Sequence, residues 1–86
     1  MNNKMKTAFS ALAENEAFAR SAAAAFVMPL DPTVEELTEI KTAVSEAVSN
    51  SVIHGYADWE DRAQAMVEME CEINEHGRVT IIVRDH

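Results

Sequence analysis

Hydrophobic and polar positions alternate most regularly towards the end of the chain. Residues 65–73 carry Ala, Val, Met, Cys and Ile at every second position, with Met66 and three glutamates between them. Residues 79, 81 and 83 continue the alternation after an Asn-Glu-His-Gly sequence at 74–77. Because successive side chains of a strand point to opposite faces, this pattern predicts a β-hairpin with one apolar and one solvated face. A weaker alternation at residues 4–9 predicts another strand.

Helical spacing dominates between these strands. The first predicted helix starts at Asn15, a plausible N-cap, and runs to about Met28, where Pro29 stops it. Its apolar stripe is predicted to consist of Phe18, Ala22, Ala25 and Phe26.

The second predicted helix has clearer boundaries. Thr33 and Glu36 have the spacing of a capping box, and Gly55 is a typical residue at a helix end. At about 100° per residue, its apolar positions fall on one arc, with the candidate polar positions opposite. The arc consists of Val34, Leu37, Ile40, Val44, Ala47, Val48 and Val52.

Two helices and an antiparallel sheet predict an α+β fold, in which the helices cover one face of a mostly antiparallel sheet. The 86 residues suffice for one small domain, and no internal repeat or boundary divides them. We therefore take residues 1–86 as a single domain. Its last strand is the final predicted element, and complete domains usually protect such a strand. We expect these residues to be the first part of a longer domain.

Composition narrows the classes of function. Seven basic and fifteen acidic residues give a net charge of −8, which argues against nucleic-acid binding because that requires basic groups at the phosphates. Cys71 is the only cysteine, so no internal disulfide is possible and a reducing cytoplasm is the expected location. The apolar run at residues 21–28 is too short to span a membrane.

Candidate chemistry lies on the polar side of the second helix. Glu46 and Asn50 are four residues apart, so a helix places a carboxylate and a carboxamide on the same face. A carboxylate can accept a proton from a hydroxyl, and a side-chain oxygen is a suitable Mg²⁺ ligand. Taken without the rest of the chain, Glu46 lies beside Glu35 and Glu39, and a solvated helix face is the simpler explanation of its position. Arg20 leaves a similar choice between a solvated cation and an anchor for an acidic partner.

The run around Glu46 and Asn50 resembles the N-box of the Bergerat-fold ATP-binding proteins, also called GHKL ATPases. Nearly the whole chain resembles the anti-sigma-F factors of spore-forming bacteria. The motifs that carry this resemblance are Phe-Ser-Ala-Leu at 9–12, Asn-Glu-Ala-Phe-Ala-Arg at 15–20, Leu-Asp-Pro-Thr at 30–33, Glu-Leu-Thr-Glu-Ile-Lys-Thr at 36–42, Val-Ser-Glu-Ala-Val at 44–48, Ile-His-Gly-Tyr at 53–56 and Val-Arg-Asp at 83–85.

The resemblance implies a homodimeric, ATP-dependent serine kinase that also sequesters the sporulation sigma-F factor from RNA polymerase. Its phosphorylation substrate would be the anti-anti-sigma-F protein, which displaces the sigma factor when unphosphorylated. By motif position, Glu46 would be the general base, and Asn50 would hold the Mg²⁺ that accompanies ATP. Asp85 would accept a hydrogen bond from the adenine amino group. Arg20 would dock both protein partners.

One departure limits what this chain is expected to do alone. The family's Asp-x-Gly-x-Gly box begins at Asp85, but its glycines and the glycine-rich lid are not among these 86 residues. We expect the chain by itself to bind ATP poorly and to be inactive as a kinase. Two alternatives are a binding-only module that docks a sigma factor or its antagonist through Arg20, and the ATPase domain of a histidine kinase.

Overall fold

The computed structural model describes residues 2–55 and 65–85, with residues 54 and 55 described by their backbone alone. The loop predicted at residues 56–63, including Trp59, lies outside the described residues. The elements, in chain order, are β1 (Asn3–Ser10), α1 (Asn15–Val27), a 3₁₀ turn (Met28–Leu30), α2 (Val34–Asn50), a π-helical turn (Ser51–Gly55), β2 (Met66–Ile73) and β3 (Val79–Asp85).

The three described strands form an antiparallel sheet in the order β1-β2-β3. Thr7 pairs with Met69, which in turn pairs with Val83, so the predicted apolar positions of all three strands share one face. Both helices contact the sheet and pack against each other. The α+β prediction is therefore confirmed, with two helices on a three-stranded sheet.

The turn of the β2–β3 hairpin depends on Asn74 and Gly77. The side-chain oxygen Oδ1 of Asn74 accepts hydrogen bonds from the backbone N–H groups of His76 and Arg78, each at 2.9 Å. Gly77 has a φ of 79°, in the left-handed region where a residue without Cβ is favoured. These local interactions confirm the predicted turn and fix which residues of β2 and β3 face each other.

The core lies between the helices and the apolar face of the sheet. Met69 and Cys71 of β2 are buried there, as the alternation predicted. Burial raises the pKa of the Cys71 thiol by desolvation, so this residue packs as a small hydrophobe. The main cluster consists of Phe9, Ala11, Ala19, Ala23, Val44, Val48, Val52, Ala65, Val67, Met69 and Cys71.

The predicted apolar stripe of α1 is correct for Ala22 and Phe26, which pack against the core, and wrong for Phe18 and Ala25. Its buried residues are Ala19, Ala23 and Val27. Phe18 is 48% exposed and Ala25 is exposed, although both were assigned to the stripe. Alanines face the core here because α1 packs against both the sheet and α2, where small side chains allow close approach.

The start of α1 also differs from the prediction. Glu14 occupies the N-cap position, and no side chain caps the helix. Asn15 is the first helical residue, and its Nδ2 donates instead to the carbonyl oxygen of Ser10 at 2.8 Å. This bond ties the helix start to the end of β1, so the asparagine serves the connection between two elements.

Helix α2 follows its prediction except at the first residue. Thr33 Oγ1 accepts from the backbone N–H of Glu36 at 3.1 Å, and Glu36 Oε1 accepts from the Thr33 N–H at 2.9 Å. The capping box is therefore confirmed. Val34, predicted on the apolar arc, is 80% exposed because it lies in the first turn, ahead of the buried Val44 and Val48.

Candidate functional site

Helix α2 presents the predicted catalytic pair to the outside. Val44 and Val48 are buried on its inner side, whereas Glu46 and Asn50 are exposed. Burying the apolar side holds α2 in place, and the helical period of about 3.6 residues then directs the polar pair outwards. The arrangement is the one that the helical projection predicts.

The carboxyl ends of α2 and β3 lie at the same end of the domain. Ile40 lines a groove with Val79, and further along α2, Ala47 lines another with Ile81 and Val83. Helix and strand thus run in the same direction, and the π-helical turn after α2 packs against β3. Asn50 near the end of α2 and Asp85 at the end of β3 are consequently brought to the same end.

The π-helical turn directly follows Asn50 and continues the helix to Gly55, the residue predicted to end it. Such turns are uncommon and occur frequently at functional sites. Ile53 within it is 52% exposed, so an apolar side chain lies on the surface next to the polar pair. This end of α2 therefore offers both oxygen atoms and an apolar contact.

Arg20 lies between the two helices and is not a fully solvated cation. Its Nη1 donates a part-buried hydrogen bond to Oγ of Ser45 on α2, at 3.1 Å. Both residues line a surface groove between α1 and α2, which also contains Glu46. The structure thus brings Arg20 and Glu46, which lie 26 positions apart in sequence, into one groove. The complete lining is Arg20, Thr38, Lys41, Thr42, Ser45 and Glu46.

Charges on the open face of the sheet are paired internally. Arg84 Nη1 lies 2.8 Å from Glu70 Oε2, and Lys6 Nζ lies 3.4 Å from Glu68 Oε1. The hydrogen bond from Arg84 lowers the pKa of Glu70, and the same pairing raises the pKa of Arg84. These groups stabilise one another across three strands. Their basic members are committed to local carboxylates, unlike Arg20.

The exposed residues at the end of α2 and β3 suit a bound Mg²⁺–ATP. Among the described residues, no hydrogen bond or ion pair engages the side chains of Glu46, Asn50 or Asp85 with another described side chain, so their oxygens are available. The Asn50 side chain offers one hard oxygen ligand, which fits a metal that usually binds few protein groups and the substrate phosphates. In residues 2–53 and 65–85, no cluster of three His, Cys, Asp or Glu side chains forms a metal site on its own.

Sequence reasoning did not identify Ser45 and Lys41 as part of the site. Both are common surface residue types, and their position in the groove depends on where α1 packs against α2. The only available signal was their spacing of four, which puts them on one helix face.

Within the residues that the structure describes, no helix has both the length and the apolar character needed to cross a membrane.

The two helices on an antiparallel sheet, with an exposed Glu-x-x-x-Asn pair on α2, fit a nucleotide-binding class of domain to which the whole chain can be compared. Residues 9–86 match the histidine kinase-like ATPase domain, and the chain belongs to that family.

Within it, the chain is similar to proteins named anti-sigma F factor, which confirms the resemblance found in the sequence. It is 58% identical over 83 residues to that of Clostridium novyi, covering 96% of this chain and 55% of the relative. It is 56% identical over 84 residues to that of Clostridium beijerinckii, covering 98% of this chain and 56% of the relative. It is 49% identical over 85 residues to that of Priestia megaterium, covering 99% of this chain and 56% of the relative. The chain thus spans about half the length of these relatives.

Proposed function

We propose that the chain belongs to an anti-sigma factor that binds the sporulation sigma-F factor and keeps it from RNA polymerase. The same protein uses ATP to phosphorylate its anti-anti-sigma antagonist on serine. The observation that carries this proposal is the similarity to named anti-sigma F factors over nearly the whole chain. It is supported by the position of Glu46 and Asn50 on the exposed side of α2, at the end where β3 finishes with Asp85.

The proposed chemistry assigns one role to each site residue. Glu46 accepts the proton of the attacking serine hydroxyl as general base. Asn50 would hold the Mg²⁺ that accompanies ATP, and this ion would supply positive charge to offset the charge of the phosphates in the transition state. Asp85 accepts a hydrogen bond from the adenine amino group and so selects the base. Within the described residues, none of these three side chains forms an ion pair or a side-chain hydrogen bond, which supports their availability for these roles.

Arg20 is the proposed docking residue for both protein partners. The groove it shares with Glu46 supports this role, because a partner held at Arg20 lies against the proposed base.

We propose that the protein acts as a homodimer in the cytoplasm of a spore-forming bacterium. The outer edge of β1 is unpaired among the described strands, and Phe18 is half exposed, which supports a second copy as a neighbour. Sedimentation equilibrium of the full-length protein tests the dimer.

We propose further that residues 1–86 form the N-terminal part of a longer ATPase domain. The match to this chain covers about 56% of the length of each relative, which supports this proposal. The 86-residue chain is then expected to bind ATP poorly and to transfer no phosphate, because its residues do not include the glycine-rich elements that the family resemblance implies. Equilibrium dialysis of the 86-residue chain with ATP checks this expectation. A micromolar affinity would contradict it.

A phosphotransfer assay tests the kinase assignment. The full-length protein is mixed with radiolabelled ATP, Mg²⁺ and the antagonist, and the phosphorylation rate is compared with that of Glu46→Gln. Loss of a general base is expected to reduce the rate about 10²- to 10⁴-fold. Glu39→Gln, an exposed glutamate of the same helix, is the matched control and should leave the rate unchanged. Full activity of both Glu46→Gln and Asn50→Ala would rule out the proposal.

Two other functions are separated by the same reagents. A binding-only module is favoured by the groove around Arg20, which is formed within the described residues. It predicts sigma-factor binding without any phosphate transfer. A histidine kinase instead predicts acid-labile phosphohistidine on the protein itself, whereas the serine kinase yields acid-stable phosphoserine on the antagonist.

A further inference from the structure

Arg20 differs from the paired cations of the sheet in what it bonds to. Lys6 and Arg84 lie within ion-pair distance of Glu68 and Glu70. Arg20 donates to the neutral hydroxyl of Ser45, and no carboxylate of a described residue lies within ion-pair distance of its guanidinium. The hydrogen bond therefore orients the Arg20 guanidinium, and no described carboxylate forms an ion pair with it.

An oriented guanidinium that forms no ion pair with a described residue is well suited to recognising a carboxylate. The group carries five N–H donors in a planar arrangement, and the bond to Ser45 uses one of them. Arginine pairs with carboxylates through two parallel hydrogen bonds, which requires a defined orientation. Lys41 in the same groove adds a second positive charge and Glu46 adds one negative charge, so the lining is net positive by one charge in a chain whose net charge is −8. The groove thus favours an acidic segment over other surface chemistry.

We propose that Ser45 is a positioning residue, which holds the Arg20 guanidinium across the α1–α2 groove for an acidic segment of the sigma factor. This inference rests on the proposed function and deepens it. Ser45 acts through Arg20, not by contact with the reacting atoms. Because Ser45 immediately precedes Glu46 and both line the groove, the docked segment and the proposed base share one stretch of α2.

The test measures binding of the full-length protein to the sigma factor with Mg²⁺–ATP present, by calorimetry at two salt concentrations. Ser45→Ala is expected to weaken binding about three- to tenfold, the usual effect of one hydrogen bond. Ser45→Thr keeps the hydroxyl and should restore binding. Ser45→Asp supplies a carboxylate that neutralises Arg20, so it should weaken binding more than alanine does and reduce the salt dependence. Ser21→Ala, an exposed serine beside Arg20, should have no effect.

A double-mutant cycle shows whether Ser45 acts through Arg20. In an Arg20→Ala background, Ser45→Ala should cause no further loss of binding, because the interaction it removes is already gone. Nitrogen-15 relaxation of the Arg20 Nε–H group needs no partner and should show greater mobility in Ser45→Ala than in the unchanged protein. Equal mobility, or equal losses in both backgrounds, overturns the positioning role.

These outcomes separate the inference from the function on which it rests. If the unchanged protein does not bind the sigma factor, the proposed function is wrong and the acidic-segment role falls with it. If the unchanged protein binds and Arg20→Ala weakens binding, but Ser45→Ala and Ser45→Asp do not, only the inference is wrong.

Discussion

The ring of Phe18 on α1 meets the ring of Phe9 on β1 edge to face, with centroids 5.9 Å apart and an interplanar angle of 75°. Phe9 is buried in the sheet's apolar face, whereas Phe18 is half exposed. This contact attaches the first turns of α1 to the sheet, two residues before Arg20. The position of the proposed docking residue thus depends on an aromatic pair at the rim of the core.

Removing the Phe18 ring should therefore destabilise the protein. Phe18→Ala is expected to lower the free energy of unfolding by about 1–2 kcal/mol, because it removes both the edge-to-face contact and the stabilisation from partial burial of the ring. Urea denaturation followed by circular dichroism measures the change. Phe18→Leu keeps much of the apolar area and should lose less. Equal stability of Phe18→Ala and the unchanged protein would show that the pair contributes nothing.

Two alanine positions on α1 test which side of the helix faces the core. Ala23 is fully buried, so Ala23→Leu should overpack the core and cost about 1–3 kcal/mol. Ala25 is exposed, and Ala25→Leu should change stability by less than about 0.5 kcal/mol. Thermal unfolding of the two variants gives the comparison. The reverse ranking would favour the stripe that the sequence predicted.

The capping box should make Thr33 important for α2. Thr33→Ala removes the side-chain acceptor for the Glu36 N–H and is expected to cost about 1 kcal/mol. Thr38→Ala is the matched control, because its hydroxyl donates only to the Val34 carbonyl within the same helix. That change should be nearly neutral in urea denaturation. Similar losses for the two variants would contradict a specific capping contribution.

Stability should depend on pH through Glu70. The hydrogen bond from Arg84 lowers the folded-state pKa of Glu70 below its unfolded value. The stabilisation is therefore complete above the unfolded pKa, about 4.3 for glutamate, and is lost as the pH falls through the lower folded pKa. Glu70→Gln should reduce stability near neutral pH, and its difference from the unchanged protein should disappear in acid.

Urea denaturation between neutral pH and pH 2 measures this difference, and carbon-13 titration of the Glu70 carboxyl checks the direction of its pKa shift. Glu72→Gln is the control, because Glu72 is exposed on the same strand and forms no ion pair with another described residue. A Glu70→Gln difference that persists unchanged in acid would exclude the ion pair as its source.

Elements governed by short-range patterns were predictable from the sequence. The alternation of residues 65–73 and the Asn74–Gly77 turn specified the hairpin, because strand period and turn geometry are local properties. The same holds for α2, where the capping box and the separation of buried Val44 from exposed Glu46 follow from helical geometry alone. The outward position of the Glu46–Asn50 pair was therefore determined by the sequence.

Only the tertiary structure decided which side of α1 is buried and what Arg20 contacts. Alanines occur around much of α1, so its hydrophobic contrast is weak and the packing against α2 and the sheet selects the side. The bond between Arg20 and Ser45 joins residues 25 positions apart, and no local pattern encodes such a contact. The groove that places Arg20 near Glu46 exists because two helices pack side by side on one sheet, which is a property of the whole fold.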